Sequence, residues 1–188
     1  MPVEHASVRA IRKPWGVSDL QPWSSIDGTV DAVGELWFDR ADDNAPTPAL
    51  LLKLLFTSEP LSIQVHPDDT FARVMGMPNG KSEAWYIISA KPGSRAGVGL
   101  ERRVTPKELR TSIHDGSMVE LVRWRPVEKG DVVFIPAGAI HALGAGIVLA
   151  EIQQRSDTTF RLFDYGSPRE LHEDHLDHQD NADHRFVQ

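Results

Sequence analysis

The sequence predicts one mainly β domain, a sandwich or barrel of short strands with a few short helices. Three observations carry that expectation. Apolar residues fall in short runs rich in Val, Ile, Phe and Trp, bounded by Gly or Pro, which is the pattern of strands. The 14 glycines and 13 prolines are scattered as turn punctuation and not gathered in a linker. A chain of 188 residues, 40% of them hydrophobic, can bury a core without covalent or metal staples.

Each element has its own signal. Residues 34–38 open on a glycine and carry Leu36, Trp37 and Phe38; residues 49–56 are an aliphatic run interrupted by Lys53. Residues 61–65 alternate apolar Leu61, Ile63 and Val65 with Ser62 and Gln64. A short helix over 71–75 follows the capping residues Asp68, Asp69 and Thr70. Residues 84–89 form the next strand. A second helix runs from Thr105 to about His114, with Thr as cap, Pro106 in the first turn and Glu108 at the third position. Strands over 132–135, 146–152 and 158–163 complete the set, each started or ended by Gly, Pro or Asp.

Charge excludes several classes. Lys and Arg total 20 against 27 Asp and Glu, a formal net charge of -7, with no basic stripe to displace counterions from a nucleic acid. No apolar run approaches the roughly 18 residues a membrane-spanning helix needs. The absence of cysteine removes disulfides, thiolate-bound zinc and thiol catalysis together. The first residues lack the apolar stretch of a secretory signal, so a cytoplasmic location is expected. Composition divides the chain into a domain over 1–168 and an acidic, His-rich tail over 169–188. That tail holds His172, His175, His178 and His184, four of the eight histidines, and reads as a solvated extension.

Chemistry concentrates elsewhere. On a strand, Ser62, Gln64 and His66 share one face, and three polar groups there suit either a ligand site inside a barrel or a polar solvent face. A second segment tips the balance. Gly130, five residues, Pro136, one residue, Gly138, two residues and His141 spell strand, tight turn and a histidine at the start of the next strand. That spacing resembles the second motif of the cupin superfamily, although Ala145 stands where the motif has Asn. The first cupin motif is altered: Gln64-x-His66 replaces the usual histidine pair, and the acidic residue follows at Glu83.

These departures resemble the type I mannose-6-phosphate isomerases. The likeness runs from about Lys13 to Leu171 through six ordered blocks. They are Lys13-Pro14-Trp15-Gly16, Gly34-Glu35-Leu36-Trp37, residues 61–68, Gly80-Lys81-Ser82-Glu83, residues 135–142 and residues 151–161. The resemblance implies a single cupin barrel with one zinc ion held by Gln64, His66, Glu83 and His141. Two imidazoles, a carboxylate and an amide oxygen leave a coordination position open, as in catalytic zinc sites, and would also admit other divalent metals.

The resemblance further implies an aldose–ketose isomerase that interconverts mannose 6-phosphate and fructose 6-phosphate by moving a proton between C1 and C2 through a cis-enediol. Lys81, with a pKa lowered by metal and burial, and Glu151 are then acid–base candidates, and Arg161 stabilises developing negative charge. Ser62, Lys53 and Asp157 match substrate-pocket positions. A non-catalytic sugar-sensing cupin and a different metal-dependent cupin enzyme, such as an iron dioxygenase, are the alternatives. Family members carry a second cupin-like domain, and longer forms a helical insertion, that this sequence does not show. The expected partners are a small sugar phosphate and a second copy of the chain paired through an exposed barrel edge.

Overall fold

A computed structural model describes residues 4–42 and 44–172. Eleven strands and three short helices follow one another as β1 (Ala6–Val17), β2 (Val33–Arg40), β3 (Leu50–Phe56), β4 (Ile63–Val65), α1 (Asp69–Val74), β5 (Glu83–Ala90), β6 (Arg95–Leu100), α2 (Pro106–Asp115), α3 (Met118–Leu121), β7 (Val122–Pro126), β8 (Val132–Ile135), β9 (His141–Leu143), β10 (Ile147–Gln154) and β11 (Phe160–Phe163). They build a six-stranded antiparallel sheet, ordered β1-β2-β3-β10-β5-β8, and a five-stranded one, ordered β11-β4-β9-β6-β7. The mainly β expectation holds, and both anticipated helices form.

Local chemistry explains the helices. Asp68 caps α1 by accepting the Phe71 amide at 2.8 Å. Thr105 and Glu108 form a reciprocal capping box at the start of α2, and Gly116 closes it in the left-handed region that a side chain would strain. Strands β1, β6 and β7 and the single turn α3 were not anticipated, whereas β9 starts at His141 as the turn chemistry implies. Strand β1 is an edge whose alternation is blurred by Arg9, Arg12, Lys13 and Pro14. Strand β6 carries Gly97 and Gly99, which weaken any strand signal; a Cβ on Gly97 would collide with Val122 of the neighbouring strand.

The sheets face each other across a core in which Leu55, Trp85, Ile87 and Leu149 of the larger sheet meet Ala96 and Leu143 of the smaller. The helices cover the smaller sheet's other side, with Leu109, Ile113 and Met118 packed near Ile63, Val65 and Leu162. A third cluster lies on the larger sheet's outer face, where Leu20 and Ile26 of the loop after β1 cover Leu36 and Phe56. Among the described residues no helix is long and apolar enough to cross a membrane. Most of the predicted tail lies outside the described residues, but its first residues dock on the barrel: Arg169 grips Asp164 with two contacts of 2.6 Å, and His172 exchanges hydrogen bonds with the Arg161 backbone.

The loop between α1 and β5 brings the site together and depends on Gly80. Its nitrogen donates to Asp69 Oδ1 at 2.9 Å, while a Cβ would strike the Pro67 carbonyl and the backbone of Asp68 and Asp69. Gly80→Ala is expected to lose about 2 kcal/mol of stability, within the range for mutations that force a backbone shift. Chemical denaturation at equilibrium measures it.

Candidate metal centre

Strand register places the functional side chains. Across the larger sheet, Trp37, Lys53, Glu151 and Trp85 stand side by side on β2, β3, β10 and β5, and Glu83 lies one inward position further, opposite Gln153. Across the smaller sheet, Arg161, Gln64 and His141 are neighbours on β11, β4 and β9. His66 follows immediately after β4. Both rows point between the sheets, so residues far apart in sequence meet because of inward-facing parity alone.

His66, Glu83 and His141 are buried, and their ligand atoms lie within 4.8 Å of one another. His66 Nε2 is 3.4 Å from Glu83 Oε2, and His141 Nε2 is 3.5 Å from Glu83 Oε1. Each imidazole directs its other nitrogen to a backbone carbonyl, His66 Nδ1 to Thr158 at 2.9 Å and His141 Nδ1 to Ala139 at 2.9 Å. Those bonds put the proton on Nδ1 and leave the Nε2 lone pairs facing a carboxylate. Gln64 closes the group, its side-chain nitrogen 3.2 Å from His141 Nε2 and its oxygen accepting from the Ser62 hydroxyl at 3.2 Å.

This arrangement fits a cation. His66 Nε2 and both Glu83 oxygens are buried without a hydrogen-bond partner, a costly convergence of lone pairs that a metal ion would satisfy. Protonation favours the same occupant. Burial, aided by the charge of Lys81, pushes the His66 imidazole down to about 3, and burial lowers His141 too. Burial alone would raise Glu83, but Lys81, whose Nζ is 3.0 Å away, holds it well below the usual carboxylate range. Neutral histidines beside an ionised glutamate are the ligand state a divalent metal requires.

A line of alternating charge extends from this centre. Lys81 pairs with Glu83; Lys53 Nζ lies 3.4 Å from both Glu151 and Glu35; Lys13 reaches Glu35 at 3.6 Å. Trp85 and Trp37 complete it, their indoles donating to Glu151 at 3.1 Å and Glu35 at 2.6 Å. Burial and the charge of Glu83 raise Glu151, whereas Glu35, also pushed up by burial, is pulled below its ordinary value by Lys53 and Lys13. Burial tends to lower Lys81, but Glu83 and Glu151 outweigh it and raise the ammonium instead, the reverse of the lowering expected for an acid–base lysine. Beside the line is a cavity of about 110 Å³, lined among others by Ser62, Gln64, Asp157, Arg161 and Arg169. Arg161 is half-buried there, and its guanidinium has no hydrogen-bond or ion-pair partner among the described residues.

All ten residues singled out in the sequence therefore gather at one place: Gln64, His66, Glu83 and His141 at the metal group, Lys53, Ser62, Lys81, Glu151, Asp157 and Arg161 around the cavity. Lys13, Glu35 and Arg169 were given no role. The first two lie inside the family-like blocks, where a buried acid between lysines was the available signal. Arg169 sits where composition reads as tail.

Comparisons with known proteins find likenesses in both sequence and fold. The chain is 42% identical over 130 residues to a mannose-6-phosphate isomerase of Bacillus subtilis, and 41% identical over 129 residues to one of Streptococcus mutans. Each match covers 65% of this chain, which spans about two fifths of the relatives' own length, 41% and 40%. The crystal structure of a Bacillus subtilis mannose 6-phosphate isomerase superposes with a TM-score of 0.78 at 31% identity, over 90% of this chain and 65% of that one. A zinc-bound mannose 6-phosphate isomerase shares the fold, with a TM-score of 0.67 at 13% identity over 92% of this chain and 73% of that one. No family model matches the chain. Fold and ligand set together define a cupin with a metal-binding centre. Over the matched region, the chain is similar in sequence and in fold to mannose-6-phosphate isomerases.

Two expected outcomes follow. Zinc at 100 times its Kd should stabilise the fold by about 2.7 kcal/mol, read as a shift in denaturation midpoint that a chelator reverses. Removing a ligand in His141→Ala should weaken zinc binding by more than the ~100-fold upper range for an outer-shell change, measured by titration calorimetry.

Proposed function

We propose that the chain is a zinc-dependent aldose–ketose isomerase acting on mannose 6-phosphate and fructose 6-phosphate. The observation that carries this reading is the adjacency of a cation-demanding His66, Glu83 and His141 group, a buried Glu151 of raised pKa and an Arg161 whose guanidinium has no partner among the described residues, all around one cavity. Gln64, His66, Glu83 and His141 would hold zinc, which supplies Lewis acidity at the sugar's C1 and C2 oxygens.

The chain's own residues divide the remaining work. A proton must leave C2 of the aldose and arrive at C1 of the ketose, while a hydroxyl proton moves from O2 to O1. Glu151 suits the carbon transfer, because a raised pKa makes it a stronger base when ionised and a usable acid when protonated. Lys53 and the Trp85 indole hold its carboxyl in place. Arg161 suits the enediol's negative charge, since its guanidinium is not committed to any other described residue. Lys81, kept as an ammonium beside Glu83, adds positive charge next to the reacting oxygens and a proton donor for them. Ser62 orients the Gln64 amide, and Asp157 can accept a sugar hydroxyl from the cavity wall.

Conversion of fructose 6-phosphate to mannose 6-phosphate by the whole chain, before and after chelation, tests the reading. Activity lost with the chelator and restored by zinc is expected. Zinc binding with no turnover would reduce the site to a sugar sensor. Arg161→Ala should leave zinc affinity unchanged and lower kcat by about 10²–10³, the range for losing one donor to a developing oxyanion. Unchanged kcat would remove Arg161 from the charge-stabilising role.

A further inference from the structure

The outer face of the six-stranded sheet is apolar from edge to edge. Strand register aligns Val8, Phe38, Leu52, Ile152, Ala84 and Phe134 in one row crossing β1, β2, β3, β10, β5 and β8. A second row, two residues along, joins Leu54, Ala150, Tyr86 and Val132. The loop that shields Leu36 and Phe56 stops short of this area: exposure is 42% at Leu52, 49% at Ile152 and Tyr86, 65% at Phe134 and 72% at Val132. An antiparallel sheet with one solvated face normally turns polar residues outward; none of these positions is charged. A contiguous apolar area of this kind marks an interaction surface.

We propose that this face pairs with the same face of a second copy of the chain, back to back about a two-fold axis. Size and charge point to that partner. Six strands about 4.8 Å apart make a face roughly 24 Å across. That is close to the ~28 Å side of a square holding the ~800 Å² per partner of a standard interface. Each copy carries a net charge of -7, so two copies repel through most of their surfaces, whereas these two rows bring no like charges together. Polar groups line one margin of the face, where Arg40 is paired to Glu4 and Gln154 is bonded to Asp69. Pairing leaves the metal centre untouched, because Lys53 and Glu151 point inward between the outward Leu52 and Ile152.

Size-exclusion chromatography with light scattering on the whole chain provides the test. The expected mass is twice 20.9 kDa, falling to 20.9 kDa in the Ile152→Asp, Phe134→Asp double variant with circular dichroism and zinc stoichiometry unchanged. The chain has no cysteine, so Tyr86→Cys carries a single thiol, which a short bismaleimide should link between two copies. A monomer at 100 μM, a concentration at which an interface of ~10 μM Kd would still be mostly paired, overturns the proposal and leaves the face to a different protein domain. A dimer that survives the double variant, or a Tyr86→Cys protein that stays uncrosslinked, overturns it as well.

Discussion

The structure is organised around a carboxylate that burial should keep neutral and that its surroundings keep ionised. Glu83 is 2% exposed, and its two oxygens face two imidazole lone pairs. Such a convergence is tolerable only with compensating positive charge. Lys81 supplies some of it, and a divalent ion accounts for the rest of the geometry. Much of what surrounds the group serves its protonation state: backbone carbonyls of Thr158 and Ala139 fix both histidine tautomers, and Ser62 steadies the amide of Gln64.

Charge neutrality inside the barrel is a second requirement, met by alternation. From Glu83 outward, lysine and glutamate succeed one another through Lys81, Glu151, Lys53, Glu35 and Lys13, so each charge along this line has an opposite neighbour. The lysines are therefore largely occupied with glutamates. Arg161 differs from them in that its guanidinium has no hydrogen-bond or ion-pair partner among the described residues.

The sequence made the outline of this site legible and some of its mechanics obscure. Turn chemistry at Pro136 and Gly138, and the alternation of Ser62, Gln64 and His66, were local signals that survive folding. Lys53 stood out because a charge inside an aliphatic run needs a reason. The pairing of Lys53 with Glu151 and Glu35 was not readable, since it depends on which strands lie side by side. Nor was the direction in which Lys81 shifts, because burial is outweighed by Glu83 together with Glu151, and Glu151 arrives from a strand roughly 70 residues later, beyond what local pattern can reach. Strand β6 was missed for a different reason: it trades side chains for close backbone approach.

The residues of β3 read Leu-Leu-Leu-Lys-Leu-Leu-Phe, apolar at both parities but for Lys53. A slip of one position against its neighbours would exchange Leu52 for Lys53 between cavity and surface at little hydrophobic cost, since greasy side chains occupy either face. The usual in–out pattern therefore does not proofread this strand. What distinguishes the native alignment is electrostatic: only there does the lysine find Glu151 and Glu35. In this barrel the buried charges act as the alignment key of assembly, so replacing Lys53 by an aliphatic residue would erase information about where the strand belongs.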